Sequence, residues 1–223
     1  MTRTFLCALA VAIAANTACL AATPNGVTIT PDGRTVHVGP ILHTVTMPRT
    51  HRAAGTTIFD NFASLDPNGV YMAGQGFAFG DLGGTYSFKV AAAFTPAANA
   101  TVTEIDIAAG VFSGAKSVGQ VHLYADASGV PGTELWTHEA TLPQEGACCG
   151  VVALVLKTGS IKLTAGTQYW VALTTASGAP KTAGSWYFNV ADQVDPIPMA
   201  FWTSAGWNAS PSLPNVAFAV YGK

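Results

Sequence analysis

From Thr56 to the C-terminus this chain repeats one pattern: short apolar runs, often alternating with polar residues, each closed by Gly, Pro, Asn, Asp or Ser. A period of two fits a pleated strand with one buried face, whereas a helix needs apolar residues three and four apart, and no convincing run of that kind occurs. Tyr86-Ser87-Phe88-Lys89-Val90 alternates strictly, which predicts one strand with Tyr86, Phe88 and Val90 on one face. In Val102 to Ile107 the alternation sets Thr103, Ile105 and Ile107 against Val102, Glu104 and Asp106, and the two acids read as a solvated edge with the chemistry of a possible calcium site. Val121 to Ala125 leads into Asp126-Ala127-Ser128-Gly129-Val130-Pro131-Gly132, where Pro131 and Gly132 suit a type II turn. Leu135 to Ala140 is the next strand. Val151 to Leu156 is apolar on both faces, which predicts the interior of a sheet. With Ile161 to Leu163, Gln168 to Leu173, Trp186 to Val190, Ala200 to Thr203 and Val216 to Tyr221, the total is about ten strands, enough for two packed sheets. The expected fold is an all-β, two-sheet antiparallel β-sandwich, jelly-roll-like, spanning residues 56–223.

The N-terminus obeys other rules. Residues 1–22 carry an early Arg3, an apolar run from Phe5 to Ala15 and small residues at Ala18, Ala21 and Ala22, the form of a secretory signal peptide. The run falls short of the roughly 20 residues of a membrane span, so a secreted or periplasmic protein without a membrane span in its mature chain is expected. Residues 23–55 form a separate hairpin and linker: Val27 to Thr30 and Arg34 to Val38 flank a Pro-Asp-Gly turn, and a polar stretch follows. His37, His43 and His51 fall here at spacings that match no compact metal motif, so no metal site is assigned. Only 10% of residues are charged and the net charge is -2, which gives nucleic acid no footprint to bind.

Cleavage of such a peptide removes Cys7 and Cys19 and leaves Cys148 and Cys149 alone, side by side. Export favours their oxidation. Adjacent Cα atoms lie about 3.8 Å apart while ordinary disulfides hold them roughly 4.4–6.8 Å apart, so a vicinal bridge is strained. It closes almost no loop, hence adds little global stability and stiffens one turn. Redox chemistry of the Cys-x-x-Cys type and zinc binding both lack their spacing or partners.

The segments Val121 to Gly132, Gly-Ala-Cys-Cys-Gly at 146–150, Leu163 to Val171, Trp186 to Asn189 and Ala217 to Gly222, opening at Ile58-Phe59-Asp60-Asn61, resemble in order and spacing the choice-of-anchor R domain, a family of secreted bacterial proteins whose biochemical function is unknown. The resemblance covers about residues 57–222 and implies a β-sandwich. It does not reach residues 23–55; members of the family commonly end in an anchoring tail, whereas this sequence ends at Tyr221-Gly222-Lys223 without an apolar run, so release is expected over anchoring.

Trp186, Tyr187, Trp202 and Trp207 stand among Gly, Ser and Asn, a setting in which exposed rings could stack on sugars; packing in the core is the competing account for Trp186 and its neighbours. The acids of the mature chain are scattered and no Gly-x-Ser-x-Gly elbow occurs, so no catalytic set is assigned and no cofactor is expected. These observations predict a non-enzymatic extracellular module with a binding or structural role. Its alternatives are a carbohydrate-binding module using the tryptophans, a subunit that polymerises by pairing the N-terminal hairpin with a neighbour's sheet edge, and a hydrolase. Expected partners are a glycan, another cell-surface component or further copies of the chain.

Overall fold

The computed structural model describes residues 27–29, 34–38, 45–46, 55–62, 70–81, 87–114, 116–144, 151–156, 161–176, 182–189, 197–210 and 213–223. Residues 1–22, the polar stretch at 47–54, His43, His51 and the Cys148–Cys149 pair lie outside the described residues. Among the described residues the regular elements are all strands, none of them a helix able to cross a membrane. In chain order, β1 (Val27–Ile29), β2 (Thr35–Val38) and β3 (Val45–Thr46) precede β4 (Thr56–Asp60) and the long β5 (Val70–Asp81). There follow β6 (Ser87–Phe88), β7 (Val90–Phe94), β8 (Ala100–Ser113), β9 (Val118–Asp126) and β10 (Pro131–Thr141). The chain then forms β11 (Val151–Val155), β12 (Lys162–Leu163), β13 (Tyr169–Thr175) and β14 (Ala183–Asn189). It ends in β15 (Met199–Thr203), β16 (Gly206–Ser210) and β17 (Phe218–Gly222).

These strands make two antiparallel sheets. The larger runs β1-β2-β5-β14-β8-β17-β4, with β3 and β6 added on β5 and β11 and β12 added on β8; the smaller runs β10-β9-β13-β7-β15-β16. The sheets pack as a sandwich because each contributes alternate large apolar side chains to one shared core: Phe77, Phe79, Ile105, Ile107, Trp186 and Phe218 from the larger sheet, and Val90, Phe94, Val121, Leu123, Val171, Leu173 and Phe201 from the smaller. Phe77 meets Phe188 and Phe201 edge-on at 4.8 and 4.9 Å, while Phe59 stacks on Phe218 at 4.7 Å. Such pairs add to burial because ring edges carry partial positive charge and faces negative.

Asparagines tie the irregular ends. The Asn61 side chain donates to the Val216 carbonyl at 2.7 Å and accepts from the Phe218 amide at 2.8 Å. Asn189 donates to the Asn61 carbonyl at 3.0 Å, and Asn215 accepts from the Ile197 amide at 2.9 Å. The N-terminal hairpin is present as expected, with Val27 opposite Val38, but it does not stand apart: β2 pairs with β5 of its own chain.

Several local expectations are corrected. Of the strand expected over Tyr86 to Val90, Tyr86 lies outside the described residues and the rest is split. Ser87 and Phe88 pair with β5 in the larger sheet, Val90 begins β7 in the smaller, and the chain crosses between sheets at Lys89. Glu104 and Asp106 are not on a solvated edge: they are 2% and 5% exposed, on the outward side of the larger sheet that also carries Tyr71, Tyr187 and Tyr221. A register shift opposite Tyr221 and Gly222 turns Val102 inward with Ile105, which strict alternation forbids. The strand β11 pairs with β8 on one side only among the described residues, and Val155 is 66% exposed, so its apolar run lies at an edge and not in a sheet interior. The reversal at Asp126 is not built on Pro131-Gly132, which begin β10. Ser128 and Gly129 take positive φ, 59° and 87°, and the Ala127 amide donates to the Val130 carbonyl at 2.8 Å, the conformation that a two-residue hairpin turn needs to match strand twist.

Close sheet packing leaves no room at Gly184, where a Cβ would lie 2.1 Å from the Gly110 carbonyl oxygen and 2.6 Å from the Phe79 ring. Gly184→Ala should lower stability by about 3 kcal/mol or more, at the upper end for core overpacking. Gly129→Ala meets open space and should cost only about 1–2 kcal/mol, for the left-handed backbone alone. Chemical denaturation of the two variants checks the ordering, and a smaller loss at Gly184 than at Gly129 would contradict it.

Candidate functional site

The outward side of the smaller sheet is where polar chemistry collects. Its floor is low because small residues alternate outward: Ala91 and Ala93 from β7, Ala172 from β13 and Ala200 from β15, packed with the fully buried Trp170. Tyr124 and Trp207 close against this cluster. Beside it opens a cavity of about 280 Å³ lined by Phe88, Lys89, Gln120, His122, Tyr124, Thr174 and Thr175. Gln120, His122 and Tyr124 reach it together because they alternate on β9 with the inward Val121 and Leu123. Lys89 reaches it from the crossing between sheets.

At the centre is a three-residue hydrogen-bonded chain. His122 Nδ1 lies 2.6 Å from Glu134 Oε2, and His122 Nε2 lies 2.9 Å from Thr174 Oγ1. Burial disfavours the charged ring and holds the His122 pKa below its ordinary value, against the opposing pull of the Glu134 hydrogen bond and charge, with Lys89 adding to the lowering. In the neutral ring Nδ1–H donates to the carboxylate, and Nε2 accepts from the Thr174 hydroxyl. The Thr174 hydroxyl carries one proton, for which the Thr175 carbonyl, at 3.3 Å, is the more distant alternative acceptor. Tyr124, stacked beside His122 at 5.5 Å, is pushed up to about 12 by burial and by the charge and hydrogen bond of Glu134.

Glu134 arrives by an irregularity of β10. Register shifts occur on both sides of it, so that Glu134 stands opposite the outward Tyr124 while Trp136 stands opposite the inward Leu123. Plain alternation would give Glu134 and Trp136 the same face; the bulge leaves Leu135 exposed and turns the carboxylate outward onto His122.

The four candidate aromatic residues separate. Trp202 and Trp207 face each other across β15 and β16, edge-to-face at 5.6 Å, and Trp207 also meets Tyr124 edge-on at 6.2 Å. Trp202 is 36% exposed and the Lys89 ammonium rests 4.5 Å from its ring centre. They therefore form a rim beside the cavity. Trp186 and Tyr187 do not join them. Trp186 is fully buried between the sheets, its Nε1 donating to the Ala217 carbonyl at 3.0 Å. Tyr187 is buried on the other sheet's outward side, stacked on Tyr71 at 5.5 Å. Neither ring has a face to offer a ligand. Local pattern could not bring His122 together with Glu134 and Thr174, which lie 12 and 52 positions from it; the alternation of β9 is the one signal that His122 and Tyr124 share a face.

Asp126 anchors the same face from the hairpin end. Its Oδ1 accepts from Trp170 Nε1 at 2.7 Å and from Gln168 Nε2 at 2.8 Å, and its Oδ2 from the Gly129 amide at 3.1 Å. Burial raises the Asp126 pKa, but these hydrogen bonds outweigh it and the net displacement is downward.

Two predictions follow from these contacts. Asp126→Ala leaves the buried Trp170 indole without its acceptor and should cost about 1–3 kcal/mol, measured as a lowered denaturation midpoint. The depressed His122 pKa means that the unfolded chain takes up a proton which the fold refuses. That contribution is therefore present above about pH 6.5 and is lost as pH falls toward the folded-state value. The loss of stability between about pH 7 and 5 should be shallower in His122→Gln; an unchanged slope would refute it.

Comparison of the chain with family models, with curated proteins and with solved structures found no match in any of the three.

Proposed function

We propose that this protein is an exported, extracellular binding module that holds a sugar on the outward side of its smaller sheet. The observation that carries the reading is the pairing of an aromatic rim, Trp202 and Trp207 with Tyr124 behind them, with a cavity of about 280 Å³ lined by Lys89, Gln120, His122, Thr174 and Thr175. Sugars present apolar C–H faces and a belt of hydroxyl groups. An aromatic rim meets the first and a lining of amide, imidazole and hydroxyl groups meets the second. The cavity is of a size for one or two sugar rings and not for a long polymer.

Export is supported by the signal-peptide form of residues 1–22, and a surface or extracellular setting by the motif order that resembles choice-of-anchor R domains. Trp202, part-exposed at the edge of the polar cavity, offers a ring on which the apolar face of a sugar can stack.

A glycan array with the full secreted chain, followed by calorimetric titration of any hit, tests the proposal. Trp207→Ala and Trp202→Ala should each weaken binding at least tenfold, a change of about 1.4 kcal/mol, with the fold retained. Trp186→Phe should leave affinity unchanged, since Trp186 is buried away from the rim. No bound glycan, or affinity indifferent to both rim substitutions, would remove the proposal.

A further inference from the structure

The geometry points to a second capacity in the same cavity: Thr174, His122 and Glu134 are arranged as a nucleophile, a general base and a positioning carboxylate for hydrolysis of a small carboxylic ester. The inference rests on the hydrogen-bonded chain and stands whether or not the tryptophans bind a sugar. Covalent acyl transfer by a hydroxyl needs a base within hydrogen-bonding reach of that hydroxyl and a third group that fixes the base's tautomer and orientation. Here Thr174 Oγ1 is 2.9 Å from His122 Nε2, and the far nitrogen, Nδ1, is 2.6 Å from Glu134 Oε2.

A histidine satisfied at both nitrogens could serve packing alone, but three observations set this one apart. Thr174 and His122 both line the open cavity instead of sitting between the sheets. The three residues come from three neighbouring strands, β13, β9 and β10. The carboxylate is brought to the ring only by a bulge in β10, which interrupts the pairing with β9 at the position where Glu134 turns outward; bulges recur where a side chain must be re-aimed at a functional site. Lys89 and Gln120 line the same cavity, and a cation and an amide are the kinds of group that stabilise a developing oxyanion.

The reaction balances without a cofactor. Thr174 Oγ attacks the ester carbonyl carbon, and the new C–O bond forms as the hydroxyl proton passes to His122 Nε2. The tetrahedral centre collapses, the bond to the alcohol oxygen breaks, and that oxygen leaves with the proton from Nε2, giving an acyl-Thr174 ester. Water then attacks the acyl carbon, again giving a proton to Nε2. The carboxylic acid departs, and Thr174 Oγ recovers its proton from Nε2. Glu134 remains a carboxylate throughout, holding the ring and stabilising its transient positive charge.

The test uses the full chain and p-nitrophenyl acetate. Nitrophenol release is followed in time, and acid-quenched protein is mapped by peptide mass spectrometry. Wild type should turn over and carry an acetyl group on Thr174. Thr174→Val and His122→Gln should lose about 10²-fold or more in rate, while Thr174→Ser, which keeps the hydroxyl, should retain it. Activity should fall on acidification as His122 takes up a proton. The groups that face it are Glu134 on β10, Lys89 and Tyr124; Glu134→Gln removes the attracting charge and should move that acid limb to lower pH as well as slow the rate, a shift that a merely structural carboxylate would not produce. Release no faster than in buffer, an unmodified Thr174, or Thr174→Val at the wild-type rate would each overturn the inference. Should Thr174→Val fail to fold by circular dichroism, the acetyl map of the wild type still decides.

Discussion

The aromatic packing between the sheets fixes everything else about this molecule. Phe59, Phe94 and Phe218 meet in one group of rings of the shared core, and Phe77, Phe188 and Phe201 in another. Because a strand's side chains alternate, committing Val121 and Leu123 to that core commits Gln120, His122 and Tyr124 to the opposite face. A slip of one residue in β9 would exchange the two sets, burying an imidazole in the core and exposing two aliphatic chains. The core therefore positions the polar face without touching it.

What the outward face holds depends on where regularity is broken. Alanines at alternate positions of β7 and β13 keep the floor low, and the large rings of Trp170, Tyr124 and Trp207 lie over it. The crossing at Lys89 then carries a cation to the cavity between a strand of one sheet and a strand of the other. The bulge in β10 delivers Glu134. Each departure from the period of two costs some regular pairing, and each adds a polar or charged group to the same small region. That concentration is the physical basis for reading the region as a site and not as ordinary surface.

The fold was legible in the sequence to the extent that it depends on local pattern. The runs around Val121, Gln168, Trp186 and Val216 are strands in the structure, as is the hairpin around Val27 and Arg34. Misreadings came where pattern was ambiguous. Val151 to Val155 is apolar on both faces, which a buried interior strand and an edge strand with two half-covered faces satisfy equally well. Glu104 and Asp106 alternate as solvated residues would, but the outward side of the larger sheet is itself covered, so alternation distinguished the faces without saying which was wet. The turn at Ser128-Gly129 was displaced by the stronger local signal of Pro131-Gly132.

By itself, the sequence determined the class of structure: few charges, apolar runs of period two and frequent turn residues leave two stacked sheets as the way to bury so many strands. It also singled out Trp202 and Trp207, because a tryptophan among Gly, Ser and Asn is visible as an oddity. Only the tertiary structure separated these from Trp186 and Tyr187, since burial is set by which sheet lies opposite and not by neighbours along the chain. The meeting of Thr174, His122 and Glu134 was likewise decided in three dimensions. Their strands are adjacent in the smaller sheet but distant in sequence, and the bulge that completes the set is a property of strand pairing, which no single strand encodes.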